Sequence, residues 1–221
     1  MTVTIFPRCV LFDLDGTLVD TAPDLGFAAN VVRAEQNLAP LDLRHYRPVA
    51  SAGARGLLGV ALNLAPEHAD FSRHRDRFLA VYRENISRHS RLFPGIDEAL
   101  QEMERSHIRW GVVTNKPDWL AQPLLHELNL TQRAACVIGV RDGLQPKPAP
   151  DLLHHACDQL RLAPVDCVYV GDDRRDIDAA RAAGMRSAAA AWGYIAAEES
   201  IADWNADTIL QAPGNLTSLW C

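Results

Sequence analysis

From residue 96 onward the chain alternates between two periodicities, and this alternation restricts the fold more than any other feature. Ile96, Ala99, Leu100 and Met103 recur at helical spacing over residues 96–106, and Trp110-Gly111-Val112-Val113 then reads as a short buried strand. The exchange repeats with a helix over 119–128, a strand at Ala135-Cys136-Val137-Ile138, a helix over 151–160, a strand at Cys167-Val168-Tyr169-Val170 and a last strand from Met185 to Ala191. Strands separated by helices pair in parallel through right-handed crossovers, so the expected fold is α/β, a doubly wound, Rossmann-like parallel sheet. An earlier apolar run, Cys9-Val10-Leu11-Phe12, supplies the first strand.

Between that strand and the alternation, residues 20–93 read as helical. Thr21 is the expected N-cap, Pro23 suits the first turn, and Leu25, Ala28, Ala29 and Val32 share a face. Leu57, Leu58, Ala61 and Leu62 form a second stripe, Phe71, Phe78, Leu79 and Tyr82 a third, and no strand is expected among them. Phe93-Pro94-Gly95 then breaks the pattern. The expected organisation is a core of residues 1–19 and 94–221 with a small α-helical cap domain, residues 20–93, mounted over the carboxyl edge of the sheet. The tail through Trp192-Gly193-Tyr194 and Trp204 reads as loop with short helix.

With 221 residues, 48% of them hydrophobic, the chain can bury a substantial core. Its net charge of −6 argues against a nucleic-acid partner, since phosphate backbones call for a basic face. No apolar stretch approaches the ~20 residues of a membrane span, and Pro7-Arg8 before the first strand does not fit a signal peptide, so a cytoplasmic protein is expected. Cys9, Cys136, Cys157, Cys167 and Cys221 are scattered through mostly apolar runs and read as small hydrophobes. His154 and His155 are adjacent and point to different sides of a helix, so no zinc site is expected.

The strand ends carry the chemistry. The first runs into Asp13-Leu14-Asp15-Gly16-Thr17, two carboxylates beside a glycine that permits a sharp turn. The Trp110 strand ends in Thr114-Asn115-Lys116: a hydroxyl, an amide and an ammonium. Lys147 lies between Gln145-Pro146 and Pro148-Ala149-Pro150, and the Cys167 strand ends in Gly171-Asp172-Asp173, with Asp176 following. Taken singly, the acids could simply favour a helix N-terminus, Lys147 could be an exposed lysine and Thr114-Asn115 a turn. Together they converge at one crevice of a doubly wound sheet. Asp13, Asp15, Asp172 and Asp173 then form the oxygen-rich cluster that a small hard cation such as magnesium prefers.

On these four segments and the inserted helices, the chain resembles the haloacid dehalogenase superfamily of aspartate-nucleophile phosphatases. The helical insertion is similar to the branch holding phosphoglycolate phosphatases. Ser51-Ala52-Gly53-Ala54-Arg55, Trp110 to Pro117, Gly171 to Ile177, Gly193-Tyr194-Ile195 and Trp204 are also similar to N-acetylmuramic acid 6-phosphate phosphatases. The resemblance implies a magnesium-dependent phosphatase acting on a small phosphate monoester. Asp13 and Asp172 would be magnesium ligands, Asp15 would bind through its backbone carbonyl, and Asp173 or Asp176 would steady the metal's waters.

Asp13 would attack phosphorus and Asp15 would act as general acid and base. Thr114, Asn115 and Lys147 would hold the phosphoryl oxygens. Arg55 in the cap is the candidate for the substrate's non-reacting end, as a planar fork suited to a carboxylate, although an exposed arginine near a helix N-terminus reads equally well. A receiver-type signalling domain shares the acids, threonine and lysine but lacks the insertion, a carbon-halogen hydrolase has no need of Asp15, and a sugar-phosphate mutase would differ only in the cap. Monomer and homodimer both remain open.

Overall fold

The computed structural model describes residues 6–220. Strand β1 (Cys9–Phe12) is buried along its whole length and alternates its side chains between two cores. Val10 and Phe12 enter one cluster and Cys9 and Leu11 the other, the pattern of a strand covered on both faces. Two short strands, β2 (Val19–Asp20) and β3 (Arg91–Leu92), pair antiparallel and bracket the inserted helices α1 (Ala22–Glu35), α2 (Leu43–Tyr46), α3 (Gly53–Leu62) and α4 (Phe71–Glu84). The chain continues through α5 (Ile96–Arg105), β4 (Arg109–Pro117), α6 (Asp118–Glu127), β5 (Val137–Val140), α7 (Asp151–Leu160), β6 (Cys167–Gly171), α8 (Arg174–Ala182), β7 (Arg186–Ala190) and β8 (Thr208–Leu210).

The main sheet has the order β5-β4-β1-β6-β7-β8, with every pair parallel. Helices α5 and α6 pack on one face through Leu100, Leu120 and Leu124, and α7 and α8 on the other through Leu152, Leu153 and Ala179. The expected doubly wound α/β fold is the fold observed. Strand β1 lies between β4 and β6, so the ends of three strands distant in sequence meet.

Local differences from the sequence reading have simple causes. The stretch 20–93 is not helical throughout: Arg91–Leu92 is a strand, held to Val19–Asp20 by a pairing too short to leave a periodic pattern. Thr21 precedes α1, but its hydroxyl caps nothing and donates instead to the Asp15 carboxylate at 2.6 Å. The strand expected at Ala135–Ile138 is assigned to Val137–Val140, although Ala135 N–H already donates to the Trp110 carbonyl at 2.7 Å. Strand β8 was not expected; its three residues sit at the sheet edge with Ile209 exposed.

The apolar stripes of the insertion, with Leu25, Ala28, Ala29 and Val32 of α1 against Leu57, Leu58, Phe78, Val81 and Tyr82, belong to the same continuous core as Val10 and Phe12 of β1. Asp24 is fully buried at the foot of α1. Its carboxylate accepts from the N–H groups of His89 and Ser90 and from the Ser90 hydroxyl at 2.7–3.0 Å, tying the start of the insertion to its return. Cys9, Cys136, Cys157 and Cys167 are buried free thiols, as expected, and Cys221 lies outside the described residues. Among the described residues no helix is long and apolar enough to cross a membrane.

Candidate active site

The turn after β1 needs a glycine. Gly16 has φ of +92°, and a Cβ there would stand 2.1 Å from an Asp172 carboxylate oxygen. The close approach brings two acids of distant segments together. Asp13, Asp172 and Asp176 are buried, and one carboxylate oxygen from each lies within 4.8 Å of the others. Asp172 accepts from the Thr17 hydroxyl at 2.8 Å, the Tyr194 N–H at 2.8 Å and the Ser51 hydroxyl at 3.1 Å. Burial, with Asp13 and Asp176 beside it, still raises its pKa well above the ordinary carboxylate value. Asp176 is pushed up to about 7 by burial, with Asp13 and Asp173 adding to the shift and Lys147 opposing it. Three hard oxygen donors that repel one another are a fit for a divalent cation.

Lys147 is the counter-charge already in place. Its buried ammonium lies 2.9 Å from Asp13 Oδ1 and donates to Asp176 Oδ1 and to the Tyr169 hydroxyl, each at 2.6 Å. The approach to Asp13 is a charge contact, since Asp13 Oδ1 accepts no aligned hydrogen bond. Burial alone would lower the lysine's pKa, but Asp13 and Asp176 outweigh it and hold the ammonium charged. Asn115 positions the Lys147 loop: its amide donates to the Lys147 carbonyl at 2.9 Å and its oxygen accepts the Lys147 N–H at 2.8 Å. Its side chain is therefore engaged by protein. Thr114 is buried beside it, and its hydroxyl accepts from the Lys116 N–H at 3.2 Å.

Asp15 points away from the acid cluster. Its carboxylate accepts from Lys116 Nζ at 3.0 and 3.1 Å and from the Thr21 hydroxyl at 2.6 Å. Asp173 also turns aside: it caps α8 through the Arg175 N–H at 2.8 Å and pairs with the Arg175 guanidinium at 2.6 and 2.7 Å. Burial would raise the Asp173 pKa, but Arg175 holds it below the ordinary value. Of the two acids left open by the sequence, Asp176 faces the cluster and Asp173 faces Arg175.

Beyond Asp15 a cavity of about 260 Å³ opens between the sheet and the inserted helices. Asp13, Asp15, Thr114, Lys116 and Arg175 line its floor, and Ser51, Arg75, Phe78 and Tyr82 line its roof. A wider depression of about 850 Å³ around Arg8, His107, Arg109 and Trp220 contains none of the acid cluster. Arg55 is exposed on α3 and does not line the cavity. The Ser51–Arg55 run reaches the site through Ser51, whose hydroxyl meets Asp172 and whose carbonyl accepts from Arg175 at 3.0 Å. The sequence reading places the Lys116 ammonium at a strand tip of the site without giving it a specific role, and gives none to Ser51, Tyr82, Arg175 or Tyr194. Lys116 carried a signal, adjacency to Thr114-Asn115, whereas Tyr82 read only as part of an apolar stripe.

Comparison with known proteins agrees with this geometry. Residues 10–190 match the family model of haloacid dehalogenase-like hydrolases. A phosphoglycolate phosphatase of Xanthomonas campestris is 43% identical over 96% of this chain and 95% of its own length. An N-acetylmuramic acid 6-phosphate phosphatase of Pseudomonas putida is 41% identical over 93% of this chain and 92% of its own. Among solved structures, a predicted phosphoglycolate phosphatase from Haemophilus somnus superposes with a TM-score of 0.84 at 26% identity, covering 99% of both chains. The matched span begins inside β1 and ends with β7, taking in every acid of the cluster, and the chain belongs to the haloacid dehalogenase-like hydrolases.

Proposed function

We infer that this protein is a magnesium-dependent phosphatase of small organic phosphate monoesters, with 2-phosphoglycolate the favoured substrate. The observation that carries the reading is the pair at the end of β1: Asp13 buried beside Lys147 and the acid cluster, and Asp15 turned toward the cavity. Asp13, Asp172 and Asp176 are the residues that would hold magnesium. The bound ion would offset negative charge, since a unit pair at 4 Å interacts by ~4 kcal/mol at an effective dielectric of 20 and a phosphate dianion must approach several carboxylates.

A carboxylate oxygen of Asp13 attacks phosphorus, forming an aspartyl-phosphate as the ester P–O bond breaks, and Asp15, which takes up a proton from solvent as the substrate dianion binds, delivers it to the departing alkoxide. Asp15, now ionised, takes a proton from water as that water attacks phosphorus, and the P–O bond to Asp13 breaks to release phosphate. Lys147 and the Thr114 hydroxyl stabilise the phosphoryl oxygens. Asn115 contributes by holding Lys147 in place. The inserted helices act as the cap that covers the reacting groups, with Ser51 and Arg175 joining the two sides.

The small cavity supports a small leaving group, because sites for drug-sized ligands run to roughly 300–1,000 Å³. Similarity to a phosphoglycolate phosphatase supports the same choice, and similarity to an N-acetylmuramic acid 6-phosphate phosphatase keeps that substrate as the second reading. Free phosphate released from 2-phosphoglycolate, N-acetylmuramic acid 6-phosphate and a hexose phosphate, with and without magnesium, tests it. Magnesium-dependent release fastest from 2-phosphoglycolate is expected; preference for the muramic acid phosphate selects the second reading, and no release from any of them overturns both.

A further inference from the structure

The cavity contains a polar pair that phosphoryl transfer itself does not employ. Lys116 projects from the end of β4, buried to 7% exposure, with its ammonium nitrogen 4.4 Å from the ring centre of Tyr82 on α4. Two contacts reach the Asp15 oxygens, whereas an ammonium has three N–H donors. The Tyr82 hydroxyl is fully buried beside the Lys116 ammonium, and among the described residues its own proton reaches no acceptor. An ammonium can donate to that hydroxyl but cannot accept its proton, and a buried donor without an acceptor costs free energy, so this cavity wall offers a donor to an acceptor from outside the chain.

We propose that Lys116 and Tyr82 receive a carboxylate carried one carbon from the substrate's ester oxygen, making them the specificity-determining pair for the leaving group. This rests on the phosphatase reading, in which Asp15 meets the leaving oxygen. Lys116 Nζ is 3.0 Å from the Asp15 carboxylate, and both side chains line the cavity. In a 2-phospho-carboxylate the acid oxygens lie about 3 Å from the ester oxygen by ordinary bond lengths, within reach of the same ammonium. A carboxylate on the far side of a sugar ring lies well beyond that reach. The other cavity cations are less suited: Arg175 is paired bidentately with Asp173, and Arg75 is half-exposed and bonded to its neighbour Asp76. Lys116 remains charged in its buried position because Asp15 and Tyr82 outweigh the burial that would lower its pKa.

The test compares 2-phosphoglycolate with ethyl phosphate, the same skeleton with a methyl group in place of the carboxylate, on the full chain with magnesium. The readout is the ratio of kcat/KM for the two esters. Wild type is expected to favour 2-phosphoglycolate, Lys116→Met to cut that ratio by about ten- to a hundredfold, and Tyr82→Phe by about three- to tenfold. Lys116→Arg, which keeps the charge, should retain most of the preference. If Lys116→Met lowers both esters in step, Lys116 serves only to orient Asp15 and the inference is overturned while the phosphatase reading stands. If wild type shows no preference for 2-phosphoglycolate, both the substrate reading and the inference fail. Should Lys116→Met not fold, thermal melting will show it, and the ratio in folded Tyr82→Phe decides, an unchanged ratio there overturning the pair.

Discussion

Asp13→Asn keeps the size and shape of its side chain but removes both nucleophilicity and charge, so turnover should fall below about a hundredth of wild type with the circular dichroism spectrum unchanged. Activity above that level would exclude Asp13 as the nucleophile. A second prediction concerns a residue with no functional group. Gly193 packs so closely on Asp172 that an added Cβ would lie 2.1 Å from the aspartate's own Cβ. Gly193→Ala should therefore push Asp172 out of the cluster and weaken magnesium binding by about tenfold or more in calorimetry, an effect on the scale of a disturbed metal shell; unchanged affinity would mean the backbone yields there instead. Proton linkage gives a third. Asp172 and Asp176 hold protons more tightly in the folded chain, Asp176 up to about 7, than in the unfolded one, where a carboxyl titrates near about 4. The folded state binds more protons, so the metal-free protein should lose stability as pH rises from about 4 through about 7. Melting in chelator should be higher at pH 5 than at pH 8, and added magnesium should raise the pH 8 value most. The reverse slope without metal would refute the buried acid cluster.

One phenol braces the neck between β2 and α1. Tyr194 donates to Asp20 Oδ1 at 2.7 Å, accepts the buried N–H of Ala22 at 2.8 Å, and through its own N–H binds Asp172. Tyr194→Phe leaves the Ala22 N–H without an acceptor and should cost about 1–3 kcal/mol in urea unfolding, a fall in Tm of roughly 2–4 °C per kcal/mol for a chain of this size. An unchanged midpoint would show that the neck is held by the Asp24 bonds alone. Elements of this kind mark the limit of what the sequence makes legible. The alternation after residue 96 predicts the sheet because burial on both faces leaves continuous apolar runs, and the acids at the strand ends locate the crevice because parallel strands share one carboxyl edge. Pairing between two-residue strands leaves no period, which hid β2–β3. Arg55 was the expected cap cation because small residues precede it, yet helical rotation from Gly53 turns it outward and leaves Ser51 facing Asp172. Lys116 and Tyr82, one on the core and one on the insertion, meet only in three dimensions.

At the scale of the molecule, β8 and the following turn close the edge of the sheet. Leu210, Leu216 and Trp220 enter the same core as Val10 and Phe12, and Asp207 accepts from the Ser187 hydroxyl and N–H at 2.9 and 2.8 Å. A chain ending at residue 205 should lose cooperative unfolding and expose β7 as a pairing edge, visible as aggregation in light scattering; a monomeric, cooperatively melting truncation would contradict this. The strand order also has a consequence for the order in which the molecule is assembled. Strand β1 is made first, yet both of its neighbours lie far along the chain, β4 from residue 109 and β6 from residue 167. The strand that carries Asp13 therefore waits unpaired until β4 is made, and its closing contacts span long loops, which slows folding. Asp13 acquires its counter-charge only when Lys147 arrives, and its companion acids only with Asp172 and Asp176. No piece of the nascent chain that stops short of Asp176 brings the three acids and Lys147 together.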